Sequence, residues 1–298
     1  LYESPYKCTS PGFQGQAFAH WGVPGAGNPV APSLHLRSMK SLEATFAAHR
    51  SIRQFRPDPV PQDLIETVCQ QAIAGGSSSG NLNTCSIVLT RDPVRKRRLY
   101  ELHFEQDMVL QAPLVMTFCA DMFRTRSWLA ARGARDNFAN FIGWHVGLVD
   151  AVIVAQNVCL GLQARGLGIC YMGTTLHSMA QIAEFLELPP ACLPVTSLVV
   201  GYPAEAPPQR DRLPLQAFLH EERYQRPTAT QLDAIYADRE HKGWERYMSM
   251  PRLKALAEEH GITSLAQFYT SKVKYDPDQF ALDAAALRST LEKAGFLP

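Results

Sequence analysis

Three short stretches carry most of the side chains that could do chemistry. His49-Arg50-Ser51-Ile52-Arg53 sets two guanidinium groups, an imidazole and a hydroxyl around one apolar anchor. Such donors suit a phosphate and any anionic group beside it, because a guanidinium fork grips an oxyanion at two points. The same residues also describe a solvated basic turn. Gly75 to Asn83 reads GGSSSGNLN, which fits either a plain surface loop or the wall of a polar ligand. Pro207 to Pro214 is an extended arm bearing Arg210 and Arg212. A further basic run, Arg95-Lys96-Arg97-Arg98, follows an Asp92-Pro93 helix start and reads as a solvated helix face.

The nine histidines form no HxxxH or HExxH pattern, and the seven cysteines (8, 69, 85, 119, 159, 170 and 192) form no CxxC pair. No structural metal is expected, and scattered, apolar-flanked thiols point to reduced cysteines in a cytoplasmic protein. The chain is 46% hydrophobic and 19% charged with net charge +1, which gives no electrostatic reason to expect nucleic acid or an acidic membrane surface.

The element that must position these groups runs from Val146 to Thr174. Its first twenty residues lack proline and carry only two charges, Asp150 and Arg165. On a helical projection Asp150, Asn157 and Gly161 share one line, and apolar residues cover most of the rest. A helix so apolar must be buried on several sides. Its length would allow a membrane span, but Asp150, Gln156, Asn157 and Gln163 would be costly in lipid, so a core helix is expected. Gly166 and Gly168 end it, Ile169 to Met172 follows as a strand, and Gly173 lets something approach the backbone closely.

Residues 1–38 are rich in Gly, Pro, Ser and Ala and read as a flexible leader, with Met39 a natural start. Helices are expected over Ser41 to Ala48, Gln62 to Ala74 (Leu64, Ile65, Val68 and Ile73 inward) and Ser178 to Leu188. Strands are expected over Cys85 to Thr90, Leu114 to Ala120 and Val195 to Val200. Phe123 to Trp144 reads as a helical excursion over a pocket or as packing. Beyond Pro227 the pattern is helical throughout: Thr230 to Arg246, Pro251 to His260 and Ala281 to Ala294.

Taken in order, HRSIR at 49–53, the serine-rich loop with Asn81 and Asn83, FCAD at 118–121, GLGICYMG at 166–173, LVVGYPAE at 198–205 and RDRLP at 210–214 resemble the flavin-dependent nitroreductase family. Within it they resemble the larger, oxygen-insensitive, NADPH-preferring branch, over about Met39 to Tyr224. The resemblance implies an α+β fold: a four-stranded, mostly antiparallel sheet flanked by helices, with C-terminal segments embracing a partner subunit. An FMN-binding core over 39–225 and a C-terminal helical extension over 226–298 follow from it.

It also implies FMN at a homodimer interface, with NADPH or NADH and a small-molecule acceptor using one pocket in turn. By position His49, Arg50, Ser51 and Arg53 look like flavin ligands, as do Ser78, Asn81, Asn83 and Gln106. Tyr171, Met172, Gly173 and Thr174 would lie along the isoalloxazine edge, and Arg210 and Arg212 would reach the phosphate. Arg53 would stabilise negative charge on the ring and the Gly173 N–H would address N5. Three positions depart from the family: Asn83 stands for Gln, Thr174 for a second Gly, and Arg210 for Lys. Arg239, Lys242 and Arg246 are candidates for the NADPH 2′-phosphate. The activity implied is transfer of hydride from NAD(P)H to nitroaromatic, quinone or related acceptors. A biosynthetic redox or dehalogenating enzyme of the same fold, and a flavin-binding protein without turnover, are the alternatives.

Overall fold

A computed structural model describes residues 39–298, so the leader and start-site expectations for 1–38 lie outside the described residues. In chain order the elements are α1 (Leu42–Ala48), α2 (Gln62–Ala74), β1 (Cys85–Thr90), α3 (Pro93–Leu102), α4 (Met108–Gln111), β2 (Leu114–Asp121) and α5 (Met122–Ala131). Then come α6 (Phe141–Ala164), β3 (Gly168–Met172), α7 (Met179–Phe185), β4 (Cys192–Gly201), α8 (Ala229–Met248), α9 (Pro251–Glu259), α10 (Leu265–Tyr269) and α11 (Pro277–Lys293).

The four strands form one sheet in the order β1-β2-β4-β3, and every pairing is antiparallel. β2 is buried along its whole length, so its apolar run is covered on both faces. On one face α2 and α6 supply Ile65, Val68, Val154, Val158 and Leu162 against Leu114, Met116 and Phe118. The other face is closed by Leu99 of α3 and Met108 and Val109 of α4, packed on Val115 and Val199. Each such aliphatic side chain contributes roughly 1.5–3 kcal/mol when fully buried. Pro194 sits inside β4, and the β2–β4 register slips beside it, between Phe118 and Cys119. Proline cannot donate to the ladder, which makes a bulge the economical way to accommodate it. In the C-terminal part α8 to α10 share a small core around Ala257, Ile262 and Phe268, while Leu291 of α11 and the following Phe296 return to Trp144 and Met179.

Several sequence expectations need correction. The core helix starts at Phe141 rather than Val146, capped by the Asn140 side chain, so the later part of the 123–144 excursion belongs to α6. Ile73 is exposed because the inward positions of α2 are Ile65, Val68 and Ala72. Lys96 is not on a solvated face: it is buried, and its ammonium donates to the Leu110 and Ala112 carbonyls, tying α3 to α4. α7 stops at Phe185, before Glu187 adopts a left-handed conformation. α10, only five residues long, gave no periodic signal.

By length and composition α6 is the one helix among the described residues apolar enough to cross a membrane. In the fold it lies along β2 and α2 with Asp150 buried and hydrogen-bonded. One stripe of it stays open: Ile142, Val149 and Val152 are 72%, 37% and 49% exposed.

Candidate active site

Helix α6 acts as a spacer between two polar anchor points. Asp150 and Gln163 are both buried and stand thirteen positions apart, about 20 Å along a helix axis. At the far anchor the Asp150 carboxylate accepts from Ser78 Oγ (2.6 Å), Ser79 N (3.0 Å), Thr84 N (3.0 Å) and Thr84 Oγ1 (2.8 Å). Burial alone would raise its pKa, but these hydrogen bonds outweigh it and hold the carboxyl below its usual range. The loop is thereby fixed. Ser78 Oγ also accepts from Asn83 N, and the Asn83 side chain donates to Asn81. Asn81 and Asn83 both have left-handed φ (56° and 55°), a conformation asparagine tolerates better than most residues.

At the near anchor Gln163 Oε1 lies 3.0 Å from His49 Nδ1. His49 closes α1, and the chain then runs beside β3, with a parallel bridge from Ser51 to Ile169. Ile52 packs so closely that a Cβ on Gly168 would lie 2.8 Å from its Cγ1, which is why only glycine fits there. The Glu205 carboxylate accepts from the backbone N–H of Arg53 and of Gln54. This leaves the exposed Arg53 guanidinium without a hydrogen bond or ion pair among the described residues. Arg50 donates to the Ala48 and Pro207 carbonyls, joining α1 to the arm.

The arm is fixed at Asp211, which accepts from Arg239 at 2.9 Å and Arg246 at 3.5 Å. Lys242 pairs with Asp238 at 2.7 Å. The three cations expected to read a 2′-phosphate are therefore engaged with carboxylates of this chain. Arg210 is pushed below the usual guanidinium range by burial first, then by Arg246 and Arg53. Asp211 opposes the influence of those two arginines on it. Among the described residues Arg212 bonds only to the carbonyls of Arg210 and Asp211.

A cleft of about 630 Å³ opens between the arm and α6, lined by Phe46, His49, Gln156, Leu160, Tyr171, Arg210 and Arg212 among others. Such a volume suits a cofactor-sized ligand. Tyr171 donates to Gln156 Oε1 (3.1 Å), and burial pushes its phenol up. Met172 is buried, whereas Gly173 is exposed, and a Cβ there would meet nothing within 4 Å. Thr174 Oγ1 lies 2.8 Å from His103 Nδ1 and 3.3 Å from Gln106 Nε2.

One chain thus brings together His49, Arg53, Tyr171, Gly173, Thr174, Gln106, Arg210 and Arg212 around β3 and its outer edge. Ser78, Asn81 and Asn83 precede β1, the opposite edge strand. Gln163, Glu205 and His103 carry no site role in the sequence expectations. Asp150 had been placed on a line of α6 without a role, though a lone carboxylate in so apolar a helix marks a buried acceptor in need of donors. Glu205 and His103 give no comparable signal.

Comparison with known proteins agrees with this architecture. The family model described as the nitroreductase family matches residues 46–202. The chain is 34% identical over 188 residues to the FMN reductase (NADPH) of Bacillus subtilis, covering 62% of this chain and 75% of that one. It is 32% identical over 180 residues to the oxygen-insensitive NADPH nitroreductase of Salmonella typhimurium, covering 60% and 73%. A solved nitroreductase structure from B. subtilis superposes with TM-score 0.70 at 26% identity, covering 86% of this chain and 98% of that one.

Proposed function

This chain belongs to the nitroreductase family as an NAD(P)H-dependent FMN oxidoreductase, and from that premise we propose a ping-pong reaction with nitroaromatic, quinone or related planar acceptors. When bound, FMN supplies the redox chemistry, taking hydride from the nicotinamide and passing it to the acceptor.

The residues fit such a group. Arg210 and Arg212 of the arm line the cleft beside His49 and Tyr171. A phosphate there would accept charge-assisted hydrogen bonds from both guanidiniums. His49, Arg50, Ser51, Arg210 and Arg212 are the residues for this end. Tyr171 to Thr174 offer the ring edge a backbone that Gly173 leaves uncovered. Arg53 carries the one charge placed to favour negative charge on the ring, and Glu205 keeps its backbone in place without taking up its guanidinium.

The single observation that carries the reading is the cleft in which Arg210 and Arg212 stand beside Tyr171, next to the open backbone position at Gly173. Ser78, Asn81 and Asn83 belong to the same site through a second copy of the chain. Their place beyond the opposite sheet edge and the open apolar stripe on α6 both support a homodimer with FMN at its interface.

The test is anaerobic. Purified protein saturated with FMN should lose its yellow colour on adding NADPH and regain it on adding a nitroarene. Initial rates should give parallel double-reciprocal lines. Failure to bleach would make the protein a flavin binder without turnover, and intersecting lines would rule out the ping-pong order. Sedimentation should give a dimer.

A further inference from the structure

Resting on the FMN reading above, we propose that Thr174 donates its hydroxyl proton to a carbonyl oxygen or ring nitrogen of the flavin, with His103 and Gln106 as the positioning residues that turn that proton outward. The argument is one of donors and acceptors. Gln106 Nε2 lies 3.0 Å from the His103 carbonyl oxygen, which can only accept, so the orientation of the amide is fixed. Its other N–H falls to Thr174 Oγ1 at 3.3 Å. Both N–H groups are spent inside the chain, and Gln106 can offer a ligand only its carbonyl oxygen.

His103 is wholly buried, and burial pushes its pKa down to about 4, so the ring is neutral with a single N–H. Its Nε2 has no hydrogen-bond partner among the described residues. An N–H left unpaired in the interior is rarer than an unpaired acceptor and costs about 1–3 kcal/mol. The proton therefore resides on Nδ1 and is donated to Thr174 Oγ1, 2.8 Å away. Thr174 Oγ1 then accepts two hydrogen bonds and must donate its own proton elsewhere. No acceptor among the described residues takes it. The adjacent Thr175 is the contrast: its buried hydroxyl donates to the Met172 carbonyl at 2.8 Å and faces inward. Thr174 is half-buried, between exposed Gly173 and buried Thr175. A glycine at 174 would have no such donor.

Two measurements test this. Long-range proton–nitrogen NMR on the full FMN-loaded chain should show His103 as the Nδ1–H tautomer; the Nε2–H tautomer overturns the proposal. Thr174→Val should weaken FMN binding roughly two- to tenfold, the range of one lost neutral hydrogen bond, and shift the midpoint potential of the bound flavin. Thr174→Ser should match the parent in both. Equal FMN affinity and potential in Thr174→Val and the parent would also overturn it. His103→Asn, which keeps an amide N–H in the place of Nδ1, should stay closer to the parent potential than His103→Phe. Should the buried replacements not fold, the Thr174 pair decides. A parent that takes up no FMN brings down the cofactor reading and this proposal together; a parent that binds FMN with Thr174→Val unaffected brings down this proposal alone.

Discussion

Replacing Asp150 by Asn removes the anchor of the 78–84 loop while keeping its size. The carboxylate is 1% exposed and takes three donors on Oδ2 (Ser78 Oγ, Thr84 N, Thr84 Oγ1) and one on Oδ1 (Ser79 N). An asparagine best keeps its oxygen on the three-donor side, which turns its NH2 towards the Ser79 N–H. That leaves one backbone donor unpaired, at about 1–3 kcal/mol. The other three bonds lose charge assistance, about 1 kcal/mol each. Relief of the burial of a charge offsets part of this, so a net loss of about 2–4 kcal/mol is expected. Urea unfolding near pH 7 should show a lower midpoint with an unchanged slope.

The same group sets a pH dependence. Its folded pKa lies below the usual carboxylate value. Its contribution is therefore complete above the unfolded pKa of about 4 and is lost as pH falls through the folded value. The gap between parent and Asp150→Asn should narrow in that acid window. A variant within about 0.5 kcal/mol of the parent at pH 7 would refute the view that this carboxylate holds the loop.

Two further outcomes are expected. Arg53→Gln should lower the reduction potential of bound FMN and slow its reduction by NADPH by about one to two powers of ten, for a differential interaction of about 1–3 kcal/mol; an unchanged potential in a xanthine oxidase-coupled titration would assign Arg53 to phosphate or to structure. Gly168→Ala should cost about 1–3 kcal/mol in thermal unfolding, because the new Cβ would meet Ile52 Cγ1 and Cβ at 2.8 and 2.9 Å; an unshifted midpoint would show that the strand edge can yield.

Where the sequence carries a period or a stop, the fold was legible in it. α2 and β1 have their expected bounds, and the left-handed Gly166 (φ 82°) ends α6 where the glycines foretold. Lys96 was not legible, because a basic run looks the same whether or not one member finds two carbonyls behind it. His103 and Glu205 were silent for the same reason: each acts on a residue 71 or 152 positions away, and no local pattern encodes such a pair. The family resemblance supplied candidate ligands but not their internal obligations. It could not show that Ser78 is committed to Asp150, or that both N–H groups of Gln106 are used within the chain.

Those obligations also fix where the cations of the site stand. Burial first, and then the nearby Arg246 and Arg53, disfavour the charge on Arg210, and like charges separate when the chain is free to move. Here it cannot move freely. Glu205 holds the backbone of Arg53 and Gln54 beside β3, and Asp211 ties the arm to Arg239 and Arg246 of α8. Each carboxylate accepts from groups that fix position: two backbone N–H groups in one case, two helix-borne guanidiniums in the other. Asp211 also opposes the influence of Arg246 and Arg53 on Arg210, which stays below the usual guanidinium range. Helix α8 thus contributes to the site indirectly, by holding the arm whose arginines line the cleft. An anion entering the cleft meets Arg210 and Arg212 beside Tyr171, and folding has already met the cost of ordering the arm that carries them.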